Sequence, residues 1–270
     1  MLSINTIHKC YINEGATQPL LCSLDNGKMA VVKYPNNNEG PLVLINEFVA
    51  YKIAEAMNIN IPSCGLCTLN SDSNFGPEFQ TQQELNNIIT KDNYGICFCS
   101  SYIKMAIPFK PSFARMVCNI EDFQKIVLFD HIIYNKDRHE GNILLCTNDM
   151  KIYVYIIDHS HIFKNQCIWD RYSFSQGIED NDYKDNDILI ANQTIYNAFW
   201  KIKAFNKENA LKQSQTIQSI LTKDFIRDII DSLPQPWCKE VNPKDLIALE
   251  GYINYRIIHL PDIINIISNH

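Results

Sequence analysis

The residues best placed to do chemistry lie between Asp130 and Leu145, DHIIYNKDRHEGNILL, where Asp137, Arg138, His139, Glu140 and Asn142 crowd between apolar runs. A little further on, the strand-like IYVYIID ends in a second lone acid, Asp158. An acid, an amide in the spacing Asp-x4-Asn, and another acid at a strand exit suit a site that holds a divalent cation against phosphate. Magnesium takes oxygen ligands, usually one or two carboxylates plus substrate phosphates, and keeps several waters. In that layout Asn142 and Asp158 would bind the metal, and Asp137 would orient or deprotonate a hydroxyl nucleophile. Taken alone the spacing is common, and a loop of solvated polar residues between a helix and a hairpin reads the same way.

Several elements would have to position these groups. Ile120 to Tyr134 reads as a mostly apolar helix that delivers the loop and, buried on several sides, would hold it rigid. Asn142 to Cys146 and Ile152 to Ile157 read as two short strands joined by the polar turn Thr147 to Lys151. Earlier, LLCSL, the turn Asp25-Asn26-Gly27 and MAVVKY form a hairpin, because those turn residues tolerate positive φ. Lys33 ends the second strand, where its ammonium faces either a cleft or water. Pro41 to Met57 then reads as a helix with Ile45, Val49, Ile53 and Ala56 on one stripe and Glu47 elsewhere. A strand lysine and a glutamate early in the next helix can form an ion pair that aims the lysine at phosphate oxygens; otherwise Glu47 is a solvated first-turn acid favoured by the helix dipole. Before the hairpin, Gly15-Ala16-Thr17-Gln18 is small and polar, so its amides could lie over phosphates, although it has neither a G-x-G-x-x-G pattern nor a Walker lysine.

Residues 70 to 93 are polar and read as an exposed excursion with a short helix, after which YGICFCSSYI returns as a strand. Pro108 and Pro111 mark a connector that is neither helix nor central strand, and a hinge is expected between Cys99 and Lys104. From Asn186 onward the text is helical. The expectation is therefore α+β and bilobal, a β-rich lobe with one helix over residues 1–100 and an α-rich lobe over 101–270.

Composition narrows the classes. A chain of 270 residues with 46% hydrophobic content can bury one large core or two joined ones. The net charge of -6 argues against a nucleic-acid backbone binder, which usually carries a basic face. The start MLSINTIHKC lacks the apolar run of a secretory signal and no membrane-length apolar stretch follows, so a cytoplasmic location is expected. The ten cysteines are then expected reduced. The pairs Cys64/Cys67 and Cys97/Cys99 raise a structural zinc site as an alternative.

With a strand lysine, a helix glutamate, a proline-marked hinge, Asp-x4-Asn and a strand-end Asp in that order, the chain resembles a protein kinase-like fold. Asp137-Arg138-His139 is similar to the Asp-Arg-His of phosphoinositide-3/4-kinase-like enzymes. The wider match is to short, stand-alone HipA-like kinases, carried by Gly15 to Leu20, Val32-Lys33, Ile45-Asn46-Glu47-Phe48, Ile61-Pro62, Asn74-Phe75-Gly76, Asn135 to Asn142, and Leu233-Pro234 with Trp237 and Tyr255-Arg256. That resemblance implies ATP and Mg2+ as cofactors, and phosphoryl transfer to Ser or Thr of a protein. Lys33 would sit on the α/β-phosphates braced by Glu47, with Asn142 and Asp158 on magnesium and Asp137 as acid-base residue, His139 either sharing that role or holding the loop. It also implies a phosphate loop at Gly15 to Gln18, with Thr17 as a phosphate contact or autophosphorylation site, and cofactor contacts from the hinge at Cys99 and Ser101. A translation-related protein or a toxin-antitoxin partner would be the macromolecular contact; the amino-terminal extension of full HipA toxins is not in the sequence.

The family pattern is broken where His159 and Ser160 follow Asp158, so the ordering switch of ordinary kinases is not implied. Two other classes compete. Histidines at 131, 139, 159, 161 and 259 with Asp137 and Asp158 could build a transition-metal hydrolase, and a pseudokinase would bind nucleotide without transfer; AMP transfer is a related chemistry.

Overall fold

The computed structural model describes residues 1–11, 17–77 and 89–269. Strands β1 (Leu2–Cys10), β2 (Leu20–Leu24), β3 (Met29–Lys33), β4 (Cys64–Leu69), β5 (Asn74–Phe75) and β6 (Gly95–Ser101) make a six-stranded sheet in the order β2-β3-β6-β4-β1-β5. β1 also pairs antiparallel with β2, from Ile4↔Leu24 to Cys10↔Leu20, so the sheet returns on itself. β1 occupies a terminus that sequence patterning had left without structure. The β2/β3 hairpin forms as its residues predict: Gly27 takes φ +77, and Leu24 and Lys28 close the turn through a 2.9 Å backbone hydrogen bond.

Helix α1 (Leu42–Ala56) is buried along most of its length, polar Asn46 and Glu47 included, so its first turns carry buried groups that need partners. Met57 to Ile59 close it, with the Ile59 amide returning to the Ala54 carbonyl at 3.0 Å. After β6 the chain runs through β7 (Ile107–Pro108), an edge strand paired with β8 (Ile143–Asn148), which in turn pairs with β9 (Lys151–Ile156). Pro108 is tolerated there because an edge residue need not donate to the ladder. Helix α2 (Asp122–Ile132) is enclosed on all sides, as its apolar sequence requires. Helices from Arg171 to Ile267 complete an α+β architecture.

Among the described residues, two apolar clusters form the core. The smaller fills the closed sheet with Ile4, Ile7, Leu20, Val32, Cys67, Cys97 and Cys99. The larger runs from α1 through α2 to the last helix at Ile267, so apolar packing crosses residue 100 without a break. Trp237 illustrates the crossing: its indole meets Phe48 edge-on at 6.1 Å and its N–H donates to the Ile96 carbonyl at 2.7 Å. Among the described residues no helix is long and apolar enough to cross a membrane.

Candidate active site

Period-two alternation in β3 sends Ala30 and Val32 into the sheet core and leaves Val31 and Lys33 on the opposite face, where both line a cavity of about 520 Å³. The rest of its wall comes from β6 (Phe98, Ser100, Ser101), from Ile61 and Pro62, and from the β8/β9 hairpin (Leu144, Ile156). Its polar end gathers Lys33, Glu47, Asn142, Asp158 and His159. Six of the expected site residues, Lys33, Glu47 and Ser101 from the first half of the sequence and His139, Asn142 and Asp158 from the second, thus share one concavity of a size suited to a small ligand.

Lys33 is 6% exposed and donates to the Glu47 carboxylate, to Asp158 Oδ1 at 2.6 Å and to Ser160 Oγ at 3.3 Å. Glu47 also accepts from the His159 amide at 3.0 Å, so it is a buried brace and not a solvated first-turn acid. Asp158 adopts φ +55, which turns the chain out of β9; Oδ1 then accepts from Ser160 Oγ at 2.6 Å. Burial alone would lower the Lys33 ammonium, but the charges of Asp158 and Glu47 outweigh it and hold the group above the usual lysine range. Burial would likewise raise Asp158, yet the adjacent ammonium and the Ser160 hydrogen bonds keep its carboxyl well below the usual carboxylate range. For Glu47 burial prevails and pushes the carboxyl up, because its ammonium partner is shared with Asp158. Burial also holds the His159 imidazole neutral, with the Arg138 charge adding to the effect.

The loop is fixed from beneath. Asp130 on α2 and Arg138 form an ion pair with fully buried side chains at 2.8 Å. The same guanidinium donates to the carbonyls of Asn142 at 3.0 Å and Ile157 at 3.5 Å, which seats the backbone beside both Asn142 and Asp158. Asn135, Asn192 and Tyr196 complete the network around Asp130 and the Arg138 amide. Asn142 uses its amide N–H groups on the Asp137 carbonyl at 2.8 Å and carboxylate at 3.2 Å. Among the described residues, Asn142 Oδ1 and Asp158 Oδ2 accept no hydrogen bond, leaving two oxygens that fit a hard cation such as magnesium.

Asp137 lies at the rim, with a 41% exposed side chain, and does not line the cavity wall. His139 accepts the Gly141 N–H at Nδ1 (3.0 Å), so its neutral form carries the proton on Nε2, which lies 3.9 Å from Asp137 Oδ1. A Cβ on Gly141 would meet the His139 ring at 2.9 Å, so glycine there lets the imidazole close over the turn.

Other expectations land differently. Gly15 and Ala16 lie outside the described residues; Thr17 is buried, Gln18 has φ +46, and the wall beside them is formed by Tyr11 and Pro19. Ser101 lines the cavity, but the Cys99 thiol does not: β6 alternation turns it into the sheet core, opposite Val32. The zinc alternative at Cys64/Cys67 fails because a spacing of three in a strand sends the side chains to opposite faces, Cys64 to the cavity and Cys67 to the core. His159 and His161 do not converge on one ion. They lie beyond the end of β9, where strand alternation no longer applies; His159 packs edge-on against Phe129 while His161 meets Glu39 at 3.2 Å. Asn46, Ser160 and the Asp130–Arg138 brace were missed from sequence. An acid and an amide inside apolar helices were the available signal.

No curated protein sequence matches the chain significantly. Among solved structures it is similar to the Helicobacter pylori proinflammatory kinase CtkA, with TM-score 0.58 and 13% identity over 97% of this chain and 98% of that one. Weaker likenesses are to HipA of the Shewanella oneidensis MR-1 HipA/HipB toxin-antitoxin complex with operator DNA (TM-score 0.47, 11% identity, 89% of this chain and 59% of that one) and to the Golgi casein kinase with Mn/ADP bound (TM-score 0.48, 12% identity, 97% and 74%). The CtkA likeness shows a shared fold. A family model for HipA-like kinases matches residues 4–254, nearly the whole chain, and the protein therefore belongs to the HipA-like kinase family.

Proposed function

We propose that the protein transfers the γ-phosphate of ATP to a Ser or Thr hydroxyl of a protein, with magnesium bound at Asn142 and Asp158. The observation that carries this reading is the Lys33 ammonium, held between Glu47 and Asp158 at the polar end of a cavity whose other walls are largely apolar. The base would lie between Val31 and Ile61 on one side and Leu144 and Ile156 on the other, near Ser101 and Tyr102. Its phosphates would then extend toward Lys33. The sheet and its helix would act as one lobe, residues 1–100, and residues 101–270 as the other, joined near Cys99 to Lys104. A cytoplasmic setting fits this activity.

Bound magnesium would neutralise charge developing on the phosphoryl oxygens. Lys33, braced by Glu47, would be oriented toward α/β-phosphate oxygens. Asp137 would receive the acceptor hydroxyl at the exposed rim, where a protein chain can reach it. His139 would hold the turn, since its Nδ1 is already engaged by Gly141 and its neutral Nε2 bears a proton. The acceptor class rests on family membership; a lipid or small-molecule hydroxyl is the alternative that product analysis separates.

The test is labelling with ATP tagged on the γ-phosphate, wild type against Asp137→Ala and Asp158→Ala, followed by mass spectrometry of modified residues. Both variants are expected to lose at least about a hundredfold in rate. Wild-type labelling by Asp158→Ala would overturn the metal assignment. Label carried by lipid or small molecule would overturn the acceptor, and tagged α-phosphate in the product would show AMP transfer instead.

A further inference from the structure

Beside the cavity lies a second group of donors with no part in the proposed transfer. Glu39, in the loop between β3 and α1, faces His161 and Cys167, both in the segment that follows Asp158. One ligand atom from each lies within 4.8 Å of the other two, and His161 Nε2 is 3.2 Å from Glu39 Oε2. Tetrahedral zinc, with bonds of roughly 2.0–2.3 Å to these atom types, places its ligands about 3.3–3.8 Å apart. A small inward movement of the thiol therefore closes the set. We propose that Glu39, His161 and Cys167 form a transition-metal site that takes Zn2+, with an open fourth position for water.

The donor set is chemically specific. Thiolate with imidazole selects a borderline or soft ion over magnesium or calcium. The His161 and Glu39 side chains are 21% and 32% exposed and Cys167 is buried, so an ion can enter from solvent yet be held against a dry wall. Zinc would bind Cys167 as the thiolate, displacing its proton. An outer partner is also present: Ser160 Oγ lies 3.3 Å from His161 Nδ1, the contact that orients a metal-bound imidazole. The backbone is committed to this shape, with Phe163, Asn165 and Gln166 all at positive φ in the connecting turn. The Asn46 side chain donates to the Ser160 carbonyl at 2.6 Å and tethers the segment to α1.

The position gives the ion a consequence. Ser160 Oγ also contacts Lys33 and Asp158, so zinc on His161 would tie the loop after β3 to the segment carrying Asp158 through a single hydroxyl. Any effect on phosphoryl transfer rests on the function proposed above; the binding itself does not.

The experiment uses chelator-stripped full-length protein, titrated with ZnCl2 against a chromophoric competitor and, separately, with CoCl2. One zinc per chain is expected, with a thiolate-to-cobalt charge-transfer band in the near ultraviolet. His161→Ala and Glu39→Gln, both at partly exposed positions, are each expected to weaken zinc by at least about tenfold while retaining the wild-type circular dichroism. Cys167→Ser is expected to lose the charge-transfer band, and Cys118→Ser, at an exposed thiol elsewhere, to keep it. Unchanged affinity in His161→Ala and Glu39→Gln, or a band that survives Cys167→Ser, would overturn the site, whatever the labelling experiment shows.

Discussion

Two buried ion networks flank the stretch from Asp130 to Ser160, and they are built on opposite terms. Around Asp130 and Arg138 every charge is enclosed, and the guanidinium is satisfied by a carboxylate and two carbonyls. Around Lys33 one ammonium serves two carboxylates, Asp158 is one-third exposed to the cavity, and the His159 Nε2 nearby has no partner among the described residues. The first network is closed and can only hold the backbone. The second opens onto the cavity, and its two carboxylates share one ammonium. Buried ion pairs seldom add net stability over an apolar replacement, but removing one partner strands the other at high cost. The pair at Arg138 therefore positions the loop backbone, while the cluster at Lys33 borders the cavity.

That contrast can be broken by mutation. Arg138→Met should lose about 3–5 kcal/mol of unfolding free energy in urea, since it leaves Asp130 buried and unpaired. Replacing both, as Asp130→Leu with Arg138→Met, should recover a large part of that loss; a double variant no better than the single would show that the carbonyl contacts, and not the stranded charge, dominate. Lys33→Met should cost less, about 1–3 kcal/mol, because Glu47, its carboxyl already pushed up by burial, can take a proton. The same variant should lose any thermal shift given by magnesium with ATP, whereas Asp130→Leu/Arg138→Met should keep part of it. Acid should produce the smallest effect. Asp158 has a folded pKa below its unfolded one, so its contribution is present above the ordinary carboxylate range and fades as pH falls below about 4. Glu47, shifted the other way, contributes below its unfolded pKa and loses that as pH rises, which offsets part of the slope. Melting temperature between pH 5 and pH 3 should therefore fall only modestly, and Lys33→Met should flatten the dependence; an unchanged slope in that variant would assign it to other carboxylates.

The open network was largely legible in sequence, and the closed one was not. A lysine ending an apolar strand, a glutamate early in the next helix and an acid at a strand exit are each placed by local patterning, but patterning leaves Lys33 and Glu47 free to face water, and only the resemblance to kinase-like folds implied that the three converge. Asp130 and Arg138 are separated by a turn whose path tertiary packing decides, through Asn192 and Tyr196 far along the chain. Cys99 shows a finer failure: the strand was evident, but which of Cys99 or Ser100 faces the cavity depends on the register of β6 against β3 and β4. The first strand was overlooked because its polar residues, Ser3, Asn5, Thr6 and His8, dilute the alternation at Ile4 and Ile7 that the closed sheet buries.

The same strand has a bearing on handling the protein. Because β1 bonds to β2 along one margin and reaches β4 and β5 along the other, it leaves neither of its main neighbours with a bare rim. Trimming the first ten residues would uncover two lengths of unpaired backbone at once, the configuration in which sheets recruit strands from other molecules. A shortened form prepared to simplify crystallisation would thus be prone to self-association through its sheet edges.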